Sequence, residues 1–263
     1  MKLNKYSKKI YSQFGEDGII KHLFKTSKIP IKKYFVDVGA YDGITNSNTY
    51  NLWRMGSFKG ILIENNEVHV RKIKKLNINE DIKVINCTVE IEGENSIDSI
   101  LDKVLKKNIE VGYMSIDIQS YDYYLLEKLK VKPQIISIEF NPSIPPYIDY
   151  VDPPGQVYLK CSAKAIEKLA QKKGYKLICC SPNNAFLIRE DCWNYKHHPD
   201  EKVEYLFDYE GLTKYNNGLY GIIHSNPYTT YPISTKPLNP VDKIFFNISR
   251  RFLSLLNIRK EKF

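Results

Sequence analysis

Between Tyr34 and Gly43 the chain reads Y-F-V-D-V-G-A-Y-D-G, and this stretch restricts the possible folds more than any other. Phe35, Val36 and Val38 form a short β-branched and aromatic run that stops at two glycines, Gly39 and Gly43. That is the pattern of a buried strand entering a tight turn. Glycine suits such a turn because the backbone there takes φ > 0 or comes close to a ligand, and a Cβ obstructs both. The following segment, Ser47 to Met55 with Gly56 beyond, predicts a helix whose free N–H groups point back into the turn. Ile61-Leu62-Ile63 then reads as a second buried strand, closed by Glu64. An acid at the tip of that strand is how doubly wound α/β folds grip ribose hydroxyls. An adenosine-bearing cofactor is therefore the first expectation.

Spacing narrows the cofactor. A dinucleotide fingerprint G-x-G-x-x-G beginning at Gly39 needs glycines where the chain has Tyr41 and Ile44, and no Gly-Lys-Ser/Thr follows to make a P-loop. What remains is acid-x-Gly-x-x-x-Gly, formed by Asp37, Gly39 and Gly43. It resembles motif I of the class I S-adenosylmethionine-dependent methyltransferases.

With 263 residues and 43% hydrophobic content, the chain can bury one large core, so a single main domain is expected. No apolar run reaches the length of a membrane span, and the basic start M-K-L-N-K-Y-S-K-K has no apolar run behind it, which predicts a soluble, unexported body. Five cysteines, with no C-x-x-C pair, argue against a disulfide framework and a zinc knuckle, and predict reduced, cytoplasmic surroundings. The net charge of +9 admits nucleic acid, anionic lipid or an anionic substrate, but the lysines are spread along the chain.

Before the first strand, Tyr11 to Gly18 (Y-S-Q-F-G-E-D-G) leads into Ile19, Ile20, Leu23 and Phe24 at helical spacing. This predicts a short cover helix with Glu16 and Asp17 on its first turn. It either docks as a plain amphipathic helix or brings Gln13 or Glu16 over the cofactor. Beyond Glu64, Glu67 to Leu76 reads as an exposed basic helix and Ile82 to Cys87 as a third strand. Ser96 to Lys107 is the clearest helix, with Ile97, Ile100, Leu101, Val104 and Leu105 on one face. Tyr113 to Ile118 and Ile135 to Phe140 are strands four and five, with a helix through Leu125, Leu126 and Leu129 between them. Strands alternating with helices in this way imply right-handed crossovers and a parallel α/β sheet. Another helix, Lys164 to Lys173, precedes Tyr175 to Cys180 and Ala185 to Arg189, two strands joined at Ser181-Pro182-Asn183-Asn184 as a hairpin.

Taken in order, Y-S-Q-F-G-E-D-G-I-I, F-V-D-V-G-A-Y-D-G, S-N-T, G-I-L-I-E, S-I-D-I-Q-S-Y-D-Y-Y, I-S-I-E-F-N and N-N-A-F-L-I-R resemble the FkbM-like methyltransferases, over about residues 11 to 190. The resemblance implies a class I methyltransferase Rossmann-like fold, with a mostly parallel seven-stranded sheet and a terminal antiparallel strand. It also implies methyl transfer from S-adenosylmethionine, often to a hydroxyl of a sugar or glycan. By the same match Asp37, Gly39 and Gly43 line the methionine and ribose side and Glu64 holds the ribose diol. The chain departs from the family at Asn65, where many members have Pro, and Tyr41 sits where class I enzymes commonly carry Gly.

A hydroxyl acceptor must lose its proton, so the oxygen donors at the tips of strands four and five attract attention: Asp117, Asp122, Glu139 and Asn141. Asp117, Glu139 and Asn141 either ligate Mg²⁺ or another hard cation, or orient the acceptor, or cap the following helices. Asp122 and Tyr147 are further candidates for acceptor binding. Asn141 to Tyr147 (N-P-S-I-P-P-Y) is a broken N-P-P-Y motif placed after the fifth strand, so a nucleic-acid acceptor is disfavoured. A non-catalytic binding protein with the same fold is the other alternative, and the intact acid and glycine positions count against it. His197-His198 read as a solvated loop rather than a metal site. The domain plan is thus a cover-helix region at 1–33, the methyltransferase domain at 34–190, an irregular extension at 191–240, and a basic amphipathic helix at 241–263. That last helix carries Ile244, Phe245, Ile248, Phe252 and Leu255 among Lys and Arg. It either docks on the domain or a second subunit, or lies on an anionic membrane surface.

Overall fold

Strands β1 (Tyr34–Val38), β2 (Lys59–Glu64), β3 (Ile82–Asn86), β4 (Tyr113–Ile116), β5 (Ile135–Glu139), β6 (Tyr175–Cys180) and β7 (Asn184–Arg189) form one sheet in the order β3-β2-β1-β4-β5-β7-β6. This computed structural model describes residues 2–54, 57–76, 80–105 and 109–209. The tail helix and its membrane reading lie outside the described residues. The β1–β5 pairs are parallel, and β7 runs antiparallel to both β5 and β6. This is the class I methyltransferase topology, with the antiparallel strand last in sequence among the described strands but inserted one place in from the sheet edge.

The strand side chains alternate between two cores, as a period of two requires. Val36, Val38, Ile61, Ile63, Met114, Ile116, Ile136 and Ile138 face α4 (Ile97–Val104), α5 (Asp122–Lys128) and α6 (Ala163–Lys172). Phe35, Leu62, Tyr113, Ile135 and Phe186 face α1 (Glu16–Thr26), α2 (Tyr50–Trp53) and α3 (Glu67–Lys74), together with a 3-10 turn at Leu3–Tyr6. Glu67 to Leu76 is thus less exposed than its lysines suggest, since Val70 and Ile73 are buried. The core also runs past residue 190: Val203, Leu206 and Phe207 are buried, with Phe207 against Phe140. His197 is exposed, as expected of a solvated loop, but His198 is only 3% exposed, its ring hydrogen-bonded to Thr26 and to the Asn194 N–H in a seam against α1. All five cysteines are thiols, and no helix among the described residues is long and apolar enough to cross a membrane.

The helix expected from Ser47 to Met55 is only Tyr50–Trp53, with Met55 and Gly56 outside the described residues. The Ser47 hydroxyl accepts the N–H groups of Thr49 and Tyr50 at 3.2 and 3.0 Å, and Asn46 has φ +57°. A side-chain turn therefore takes the place of the first helical turn, as serine does when its hydroxyl competes for backbone donors.

The Y-S-Q-F-G-E-D-G stretch is held by its two acids. Oδ2 of Asp17 accepts the N–H groups of Ile10, Tyr11 and Ser12 at 3.0, 2.9 and 2.8 Å and the Ser12 hydroxyl at 2.7 Å. Glu16 accepts the Phe14 N–H at 2.8 Å and the Ser181 hydroxyl at 2.6 Å. Removing the buried Asp17 acceptor leaves its donors without a partner. Asp17→Ala is therefore expected to lower the unfolding free energy by about 2–4 kcal/mol, read from urea titration. A loss under about 0.5 kcal/mol would show that water replaces the carboxylate.

Candidate active site

The register brings the tips of β1, β2 and β4 level, with Val38 opposite Ile63 on one side and Ile116 on the other. Beyond them β1 turns sharply. Gly39 has φ +90°, and both Gly39 and Ala40 donate to the Ile63 carbonyl at 3.0 Å. A Cβ on Gly39 would stand 1.9 Å from the Asp117 carbonyl oxygen, so only glycine lets β1 and β4 approach there. Above these tips lies a cavity of about 520 Å³, lined among others by Gln13, Asp37, Gly39, Tyr41, Ser47, Glu64, Asp117, Gln119 and Asn184.

Three of the cavity's side chains are carboxylates, and none of its described residues is Lys, Arg or His, although the chain carries a net charge of +9. Glu64 is 7% exposed; its Oε2 accepts the Tyr41 N–H and its Oε1 the Asn66 N–H, both at 2.8 Å. Asp37 is 5% exposed and accepts the Thr49 hydroxyl at 2.5 Å. Burial pushes the Asp37 carboxyl up to about 7; the Thr49 hydroxyl opposes this, while Asp117 and Glu64 add to it.

Asp117 joins a chain of side chains at the β4 and β5 tips. The Gln119 amide nitrogen donates to Asp117 Oδ1 at 2.7 Å and to Glu139 Oε1 at 3.1 Å. Lys160 binds Glu139 Oε2 and donates to Gln119 Oε1 at 2.7 Å. Burial, then repulsion from Glu139, pushes Asp117 up to about 7, with Lys160 and Gln119 pulling the other way. Glu139 is raised by burial as well, against the lowering effect of the Lys160 ammonium.

Of the residues expected at the site, Gln13, Asp37, Gly39, Glu64 and Asp117 line the cavity, and Glu139 borders it through Gln119. The others have different work. Gly43, at φ +80°, closes the turn on Ala40 and packs a hypothetical Cβ toward Ile73, away from the cavity. Glu16 is fully buried between α1 and the β6–β7 turn, with both oxygens used there. Asp122 accepts the N–H groups of Ile118 and Ser120 and so shapes the loop before α5; burial pushes it up to about 6. Tyr147 is 69% exposed and outside the cavity lining. Asn141 turns its Oδ1 to the Ser143 N–H.

The expected metal group does not assemble. Asp117 and Glu139 meet, but Asn141 is engaged elsewhere and the Lys160 ammonium occupies the Glu139 oxygen that a cation would use. Among the described residues no three of His, Cys, Asp and Glu converge as a metal-binding group. The residues present do not fit a divalent ion, and no step is derived through one. Thr49, Gln119 and Lys160 were not anticipated. Gln119 sits inside the S-I-D-I-Q-S-Y-D-Y-Y motif, two residues after the acid, and its left-handed backbone is visible only in the folded chain. Lys160 carries no local signal at all, because it arrives through the loop after β5.

A scan against protein-family models finds no match, and neither does a search of curated proteins. Among solved structures, the chain is similar to a SAM-dependent methyltransferase from Aquifex aeolicus, at 17% identity over 65% of this chain and 87% of that one, with a TM-score of 0.39. It is similar to a putative S-adenosylmethionine-dependent methyltransferase from Listeria monocytogenes at 12% identity, over 64% and 96% of the two chains, with a TM-score of 0.39. The N-terminal domain of EvdMO1 with SAH bound matches at 10% identity, over 65% and 77%, also with a TM-score of 0.39.

Proposed function

We propose that this chain is an S-adenosylmethionine-dependent O-methyltransferase acting on a hydroxyl of a sugar, glycan or related small molecule. The observation that carries the reading is the cationless cavity, walled by Asp37, Glu64 and Asp117 over the tips of β1, β2 and β4. Dinucleotides and nucleoside phosphates bring anionic phosphates, which such walls repel, whereas a sulfonium and an ammonium are cations that the same walls attract. The residues fit the cofactor. Glu64 would hold the ribose diol with the lone pairs left open by its two backbone N–H donors and by the His69 ring, whose Nδ1 lies 3.7 Å from Oε1. Asp37 and Gln13 would line the amino-acid end. When bound, the cofactor supplies an electrophilic methyl group.

The chain's own part is to place the acceptor and receive its proton. Asp117, half-buried at the β4 tip and with its carboxyl pushed up to about 7, is matched to a general base working near neutrality. Gln119 holds one of its oxygens. Asp117 would take the acceptor's hydroxyl proton as the oxygen is methylated and release it to water afterwards.

Calorimetry with S-adenosylhomocysteine tests the cofactor half. The parent should bind it and reject NAD and ATP, and Glu64→Gln should weaken it about 10- to 100-fold through loss of a charged acceptor. No binding by the parent, or equal affinity in the two proteins, would overturn the reading.

A further inference from the structure

We propose that Lys160 is a positioning residue of this site, holding the Gln119 amide in the one orientation that aims the Asp117 carboxylate into the cavity. The inference rests on the reading of the cavity as a methyl-transfer site, and it adds a residue from outside the motifs.

The argument begins with donors and acceptors. A glutamine amide has two ends of nearly equal shape, one an acceptor and one a double donor, so its neighbours decide which way it points. An ammonium has only donors, and it meets Gln119 Oε1 at 2.7 Å. Carboxylates only accept, and Asp117 and Glu139 meet Gln119 Nε2 at 2.7 and 3.1 Å. Lys160 also binds Glu139 directly, so both Glu139 oxygens are engaged, one by each neighbour. Flipping the amide would set an ammonium against an NH₂ group and carbonyl oxygen against two carboxylates. With Lys160 in place only one orientation survives.

Backbone geometry supports a built arrangement. Among the described residues the non-glycine positions with positive φ are Tyr41, Asn46, Gln119 and Lys160. The first three line the cavity, and the fourth is bonded to the third. Left-handed backbone costs conformational energy for such residues and persists where the surroundings over-determine it. For Lys160 those surroundings are Asp152, which is 4% exposed. Its Oδ2 accepts the N–H groups of Tyr158, Leu159 and Lys160 at 2.6, 2.9 and 2.6 Å, and its Oδ1 accepts the Tyr150 hydroxyl at 2.8 Å. The bridge of Val151 to Cys161 closes the same loop, and the Asn141 N–H donates to the Cys161 carbonyl at 2.8 Å. The chain leaving β5 is thus wound about one buried carboxylate and returned to the strand tip, where it delivers the lysine.

The test compares the full-length parent with Lys160→Met and Lys160→Arg by ¹⁵N spectra of side-chain amides, with Gln119→Ala to assign the signal. Gln119 is itself exposed, so in the parent its amide protons should exchange with solvent at least about tenfold more slowly than those of glutamines without charged hydrogen-bond partners, the worth of such bonds. Lys160→Met should abolish that protection and Lys160→Arg should retain it. The affinity for S-adenosylhomocysteine should stay within about threefold in both variants, because Lys160 does not line the cofactor cavity. Unchanged Gln119 signals in Lys160→Met would overturn the proposal. So would loss of protection in an arginine variant whose remaining spectrum is that of the folded parent. A tenfold loss of cofactor affinity with Gln119 undisturbed would place Lys160 in cofactor binding instead. Failure of the parent to bind S-adenosylhomocysteine would remove the methyl-transfer reading, while the Gln119 signals would still report on the positioning claim.

Discussion

Gly39→Val is expected to bind no measurable S-adenosylhomocysteine and to lose about 3 kcal/mol or more of unfolding free energy. The added Cβ would lie 1.9 Å from the Asp117 carbonyl oxygen and 2.8 Å from its carbon, both backbone atoms that cannot swing aside. The φ of +90° is hostile to a β-branched residue as well. Relief requires the β1 and β4 tips to part, breaking the Asp117 N–H bond to the Val38 carbonyl at 2.9 Å and moving Asp117 with it. The cavity floor and its base would then be displaced together. Gly43→Ala is the control. Its Cβ meets only side chains, Ile73 at 3.2 Å and Leu76 at 3.6 Å, so the expected loss is the backbone strain of φ +80°, about 1–2 kcal/mol, with cofactor affinity retained. Calorimetry and urea unfolding on both variants decide the matter. A valine variant that binds like the parent would mean the cofactor does not lie on this turn.

The second large effect concerns chemistry. Asp117→Asn should cut methyl transfer about 10²- to 10⁴-fold, the usual worth of a general base, while cofactor affinity changes less than about threefold. The amide keeps the size of the side chain and can still accept from Gln119, but it cannot take a proton. The sign of the pH dependence follows. Asp117 must be ionised to act, and burial beside Glu139 raises it to about 7, so parent activity should climb as pH rises from 6 to 8, and the residual activity of Asp117→Asn should lack that step. Transfer of a labelled methyl group to a panel of sugars and glycans would measure both. Full activity in the asparagine variant would end the assignment. Equal loss of cofactor binding would move Asp117 to the cofactor's side of the cavity.

Much of the fold was legible in the chain. The apolar runs at β1, β2, β4 and β5 are buried from end to end, or nearly so, and such strands must sit inside a covered parallel sheet. The order of glycine and acid after β1, with a second acid closing β2, was readable because a turn at positive φ and a strand tip are local features. Asp37, Gly39, Glu64 and Asp117 follow from it, since parallel strands in register bring their carboxyl ends to one edge.

Other residues could be assigned only once the chain had folded. Glu16, Asp122 and Asn141 are acids or amides in suggestive places, but a polar side chain spends its acceptors on the nearest unpaired N–H or hydroxyl groups. For these three, the partners are Phe14 with Ser181, Ile118 with Ser120, and Ser143. Thr49 and Lys160 reach the site across 12 and 21 residues, to Asp37 and Glu139 respectively, and no periodicity encodes such a meeting. Local sequence therefore determined the strands, the turn and the first acids. Tertiary packing decided which acids remain open to the cavity, because that depends on which donors the rest of the chain brings within hydrogen-bonding distance.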